Sequence, residues 1–132
     1  MIGTSLICTT HNTGHTKRNE SLYGAVFQFH AQSLAETLQI NSQASFERVA
    51  AALEKAPRIE FFSIGISYPV AYTAYCKLLL IGLPAAAQFD SHIQLITATQ
   101  LKAGDVAFGI SCSGTTRETV QCLEVAKDKG AC

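Results

Sequence analysis

Between Ile110 and Thr119 the chain reads ISCSGTTRET, and Ser111, Ser113, Thr115, Thr116 and Thr119 supply five hydroxyls there. An apolar run, VAFG, precedes this stretch, and a helix-like pattern with Val120, Leu123 and Ala126 follows it. A loop that leads into a helix presents unpaired backbone N–H groups and the positive end of the helix dipole, a combination that attracts anions. Ser111, Ser113 and Thr116 add hydroxyl donors, and Gly114 lets the backbone approach a ligand closely. This is chemistry for a phosphate held without a metal and largely without Lys or Arg. Serine and threonine also act as caps and turn formers in such loops, and Thr115 taken alone reads as a cap. The combined spacing S-x-S-G-x-T after a buried strand favours the phosphate.

The elements that must carry this loop follow from periodicity. Residues 1–20 are polar and aperiodic, and read as an arm or leader ahead of a domain spanning 21–132. From Leu22 to Ile40, the residues Tyr23, Phe27, Ala31, Leu34 and Leu38 recur at helical steps along one stripe. Asn41 and Ser42 offer an N-cap to a second helix with Phe46, Val49, Ala50 and Leu53 on its apolar side, and Pro57 stops it. RIEFFSI at 58–64 reads as a strand ended by Gly65. Pro69 suits the first turn of the next helix, lined by Val70, Ala74, Leu78 and Ile81 and ended by Gly82. PAAAQF at 84–89 is a weaker strand. Ser91 with Gln94 matches a capping box that opens a helix through Gln100. VAFGI at 106–110 is apolar without alternation, as in a strand covered on both faces. Thr115 with Glu118 matches a second capping box, opening a helix to Lys129 that Gly130 ends. Strand–helix alternation implies parallel pairing through right-handed crossovers, so the fold class is α/β with a doubly wound parallel sheet.

Composition narrows the function. At 132 residues and 48% hydrophobic content the chain suits one packed domain. Ten basic and ten acidic residues balance, whereas nucleic-acid binders usually carry a basic excess. No apolar run approaches the ~20 residues of a membrane span. The N-terminus lacks a basic start with a sustained apolar segment, so no signal peptide is read. Five cysteines without a CxxC pair do not form a disulfide framework, and the cytoplasm is the expected compartment.

The segments FFSIGIS, FDSHIQLITA and GDVAFGISCSGTTRETVQCLEVAKDKGA resemble the sugar isomerase (SIS) domain, and more narrowly its version in RpiR-type bacterial transcriptional regulators. The resemblance spans residues 22–130, with S-x-S-G-x-T its most specific part. It implies an effector-sensing, phosphosugar-binding domain that is not an enzyme, has no cofactor or metal, and assembles as a homo-oligomer. Ser67 would contact the phosphosugar, while Ser111, Ser113 and Thr116 would grip its phosphate. Cys112 stands where family members vary and would contribute its backbone N–H, beside Gly114 and Thr115. Ser63 replaces the glycine usual before the first loop. The helix-turn-helix domain through which such regulators contact DNA has no counterpart before Leu22, and the family's sheet continues past KGA. The expectation is therefore a fragment or incomplete frame, whose third strand, 106–110, is left as an open sheet edge that pairs with other chains.

His11 and His15 stand four apart in HNTGH, but without a helix signal they read as a solvated arm rather than metal ligands. His92, at the end of the second strand, either touches a sugar hydroxyl or is a helix-start residue. Cys112 lies before a helix N-terminus, which can activate a thiol, yet no base neighbours it in sequence. Arg117 and Glu118 read as solvated first-turn residues. The alternative class is an aldose–ketose sugar-phosphate isomerase, which needs a positioned base to move a proton between carbons. In the isomerases that this chain resembles, that base falls largely beyond the residues present.

Overall fold

The computed structural model describes residues 22–132. They run through α1 (Leu22–Ile40), α2 (Gln43–Lys55), β1 (Ile59–Phe62), a 3₁₀ turn at Gly65–Ser67, α3 (Tyr68–Leu80), β2 (Ala85–Ala87), α4 (Ser91–Thr99), β3 (Val106–Gly109) and α5 (Arg117–Asp128). The arm expected at 1–20, with His11 and His15, lies outside the described residues. Contacts divide the described chain into two compact units, 22–46 and 47–132.

In the first unit, α1 runs over the range its periodicity predicts. Ser33 and Thr37 return their hydroxyls to the carbonyls of Phe29 and Ser33, four residues earlier. The expected stripe of Tyr23, Phe27, Leu34 and Leu38 is solvent-exposed, and Leu22, Val26, Phe29 and Ile40 expose a second side. No α1 residue is buried. Asn41 donates to Thr37 O, which leaves Ser42 to cap α2, its Oγ accepting from Ser45 N at 3.2 Å.

The second unit is built on a three-stranded parallel sheet in the order β2-β1-β3. Every residue of β1, the strand expected at 58–64, is buried, because it is the central strand and both faces of the sheet are covered. Side chains alternate between the two sheet faces. On one, Ile59, Phe61 and Val106 pack with Ala71, Ala74 and Leu78 of α3 and with Ala52, Leu53 and Ala56 at the end of α2. On the other, Phe62 and Ala107 pack with Ala98 of α4 and Cys122, Leu123 and Ala126 of α5. Glu60 is a charged residue inside the central strand. One of its oxygens takes Arg58 Nε and Nη2 at 2.8 Å, which offsets part of the cost of burying the carboxylate.

Gly109 faces α5 on β3. A Cβ at that position would stand 2.5 Å from Leu123 Cδ1, so any other residue would force the Leu123 side chain to move. The edge of β3 is not wholly open, contrary to the expectation for 106–110. Cys132 N donates to Asp105 O and Ala107 N to Cys132 O, both at 2.9 Å, which is one rung of a parallel ladder. Further along, the Gly109 N–H points the same way as that of Ala107 and has no backbone partner among the described residues.

Candidate functional site

A binding crevice in an open parallel sheet forms where crossovers from adjacent strands leave to opposite faces. Here α3 leaves β1 toward the Ile59–Phe61 face, while α5 leaves the neighbouring β3 toward the Phe62–Ala107 face. The switch point therefore lies between β1 and β3. Two loops flank it at their carboxyl ends, 63–67 and 110–116.

The 110–116 loop is braced by its own hydroxyls. Ser111 Oγ lies 2.8 Å from Thr116 Oγ1 and 3.4 Å from Ser113 Oγ, and it accepts from Gly114 N at 3.2 Å. Ser113 Oγ in turn accepts from Thr115 N and Thr115 Oγ1, each at 3.2 Å. Gly114 makes this turn at φ 69°, a left-handed conformation that other residues rarely adopt. Five of the expected site residues, Ser111, Ser113, Gly114, Thr115 and Thr116, thus form one hydrogen-bonded cluster. Cys112 is carried on the same loop with its thiol exposed.

The capping box expected from Thr115 and Glu118 is not formed. Thr116 is the N-cap residue of α5, and no side chain caps the helix, because the Thr116 hydroxyl is turned toward Ser111. The first-turn N–H groups are left without a side-chain acceptor beside hydroxyls whose protons can rotate. An anion would satisfy both. A shallow groove along the outer side of α5, lined by Gly114, Thr115, Arg117 and Val120, borders this loop but does not include Ser111, Ser113 or Thr116.

The 63–67 loop is positioned differently. Ser67 ends the 3₁₀ turn and precedes α3, and its side chain makes no capping bond, while Pro69 takes the first turn as predicted. Ser63 is fully buried, and both of its backbone groups are held by Gln94: Ser63 N donates to Oε1 at 3.1 Å, and Nε2 donates to Ser63 O at 2.8 Å. Nε2 also donates to Gln88 O at 2.8 Å. The capping box expected from Ser91 and Gln94 is therefore corrected. Asp90 is the N-cap of α4, accepting from His92 N and Ile93 N, and Gln94 turns inward instead. Spacing alone could not separate the two roles, since both place a glutamine in the first turn.

His92 is exposed on the first turn of α4, after β2, which flanks β1 on the side away from β3. Tyr68 donates to Ala87 O at 3.3 Å and packs edge-on against Phe89 at 5.0 Å, tying the start of α3 to the end of β2. Cys122 is a core residue. Burial, and then the Glu118 carboxylate, push its thiol pKa up, which makes it a poor nucleophile. Among the described residues no group of three His, Cys, Asp or Glu could hold a metal ion, and no helix is long and apolar enough to cross a membrane.

Comparison with known proteins bears on the family and the fold. Residues 52–132 match the SIS domain family. A protein of Caldanaerobacter subterraneus subsp. tengcongensis, described as an uncharacterized HTH-type transcriptional regulator, is 40% identical over 106 residues. The match takes in 80% of this chain but 38% of that relative's length. The sugar isomerase domain of an RpiR transcription factor from Sphaerobacter thermophilus superposes with a TM-score of 0.74 at 22% identity, covering 85% of this chain and 63% of that structure. With the family matched over more than half of the chain and the overall fold in agreement, this chain belongs to the SIS domain family.

Proposed function

We propose that this chain binds a phosphorylated sugar and acts as the effector-sensing part of an RpiR-type transcriptional regulator. The observation that carries the reading is the hydroxyl cluster Ser111–Ser113–Thr116 at the uncapped start of α5, beside the switch point. Phosphate oxygens would accept from the three hydroxyls and the first-turn N–H groups, and Ser67 would reach the sugar from the facing loop. Cys112, Gly114 and Thr115 would offer backbone contacts, and His92 a sugar hydroxyl contact. Regulator relatives favour sensing over turnover, with DNA contacted through a separate helix-turn-helix domain in the cytoplasm. A homo-oligomer is part of the same reading, because α1 exposes apolar side chains on two sides.

A thermal-shift screen with hexose and pentose monophosphates, their unphosphorylated sugars and inorganic phosphate tests this. Stabilisation by one or more phosphosugars, without conversion of aldose into ketose phosphate, is the expected result. Turnover would replace sensing with isomerisation, and no phosphosugar-specific shift would remove the site.

A further inference from the structure

In a parallel ladder, alternate residues of a strand donate to the same neighbour. Ile59 N donates to Pro84 O, and the pairs Ile59–Ala85 and Phe61–Ala87 continue that register. The next rung would join Ser63 N to Gln88 O. It is not made. The Gln94 amide stands in its place, with Oε1 accepting from Ser63 N and Nε2 donating to Gln88 O. The second N–H of Nε2 holds Ser63 O. A buried side chain, 1% exposed, thus acts as an inserted peptide group between β1 and β2. Both of its donors and one acceptor position are used, and Ser63, which is fully buried, depends on it for both backbone groups.

Resting on the phosphosugar reading above, we propose that Gln94 is a positioning residue for the binding site: by replacing the last rung between β1 and β2 it fixes the direction in which the loop carrying Ser67 leaves the sheet. The Ser111–Thr116 cluster makes no bond to Gln94, so the two halves of the crevice are positioned independently. Phosphate is gripped by a loop that braces itself, and the sugar is met by a loop that Gln94 holds.

The test compares Gln94→Leu and Gln94→Glu with the wild type. The probes are a hexose monophosphate that stabilises the wild type and inorganic phosphate. For Gln94→Leu, hexose monophosphate affinity should fall about tenfold or more, as for loss of a buried hydrogen-bonded group. Phosphate affinity should be retained, and amide exchange at Gly65–Ser67 should accelerate. Gln94→Glu keeps the side-chain volume but turns a carboxylate toward the carbonyls of Ser63 and Gln88. Burial and those carbonyls raise its pKa, so the defect is present above that pKa and fades as pH falls through it, relative to the wild type at each pH. A cavity or packing defect would not show that profile. Where either variant fails to fold, the wild type still decides. Hexose monophosphate, unlike phosphate, should shift the side-chain amide resonances of Gln94 together with the Ser67 amide. Equal losses for both probes, unchanged loop exchange in a folded variant, or an unmoved Gln94 signal would overturn the inference. Failure of the wild type to prefer any phosphosugar would instead overturn the function reading.

Discussion

At the scale of single residues, the hydroxyls of the 110–116 loop are not equivalent. Ser111 Oγ meets Ser113, Thr116 and the Gly114 amide, whereas Thr115 reaches only Ser113. Ser111→Ala should therefore weaken phosphosugar binding more than Thr115→Ala. Each hydroxyl donated to a charged phosphate is worth roughly 1.5–3 kcal/mol, so Ser111→Ala with Ser113→Ala should cost orders of magnitude in affinity. Titration calorimetry with a hexose monophosphate and its parent sugar checks this, the parent sugar's weak binding being unchanged. Unaltered phosphosugar affinity would remove the loop from the site.

At the scale of elements, two contacts fix how the helices meet the sheet. Asp90 caps α4 by accepting two amides through one oxygen, and it stands at the positive end of the helix. Asp90→Ala should cost about 0.5–2 kcal/mol of stability, read as a lower urea midpoint. Asp90→Asn, which retains a capping oxygen, should recover most of it. Gly109→Ala acts through packing. The new methyl would sit against Leu123, and forcing an extra group into a filled core typically costs about 1–3 kcal/mol. The same substitution with Leu123→Ala should be less harmful than the sum of the two single changes, because the second removes the clash.

At the scale of the molecule, the proposed association would use the exposed surface of α1 and the partly paired edge of β3. Tyr23, Phe27, Leu34 and Leu38 lie open on one side of α1, and Leu22, Val26 and Phe29 on another, an arrangement expected of a helix that is covered in an assembly. At tens of micromolar, an order-of-magnitude range for such association, sedimentation should show a species larger than one chain. Replacing Tyr23, Phe27, Leu34 and Leu38 by polar residues should shift it toward the monomer. A wild type that sediments as a stable, cooperatively unfolding monomer would remove the homo-oligomer. With balanced charge, the chain should show no sequence-specific duplex binding at physiological salt. A gel shift at nanomolar concentration (an order of magnitude typical of specific DNA binding) would point to a DNA surface in this domain.

The order of helices and strands was legible in the chain itself. Helical stripes, the aromatic and β-branched run at 58–64, the unalternating run at 106–110, and Pro69 and Gly82 at the ends of α3 are local signals, each decided within a few residues by backbone sterics and side-chain burial. Resemblance carried the SIS assignment, because S-x-S-G-x-T after a buried strand packs several donors into one short loop. The uses of individual polar side chains were not legible. Thr115–Glu118 and Ser91–Gln94 both fit a capping pattern, yet Thr116 turns to Ser111 and Gln94 enters the sheet between Ser63 and Gln88. A polar group takes whichever partner folding brings within reach, and 31 positions separate Ser63 from Gln94. Spacing along the chain measures only local competitors for such a group; the tertiary structure supplies the distant one, and for Gln94 the distant one won.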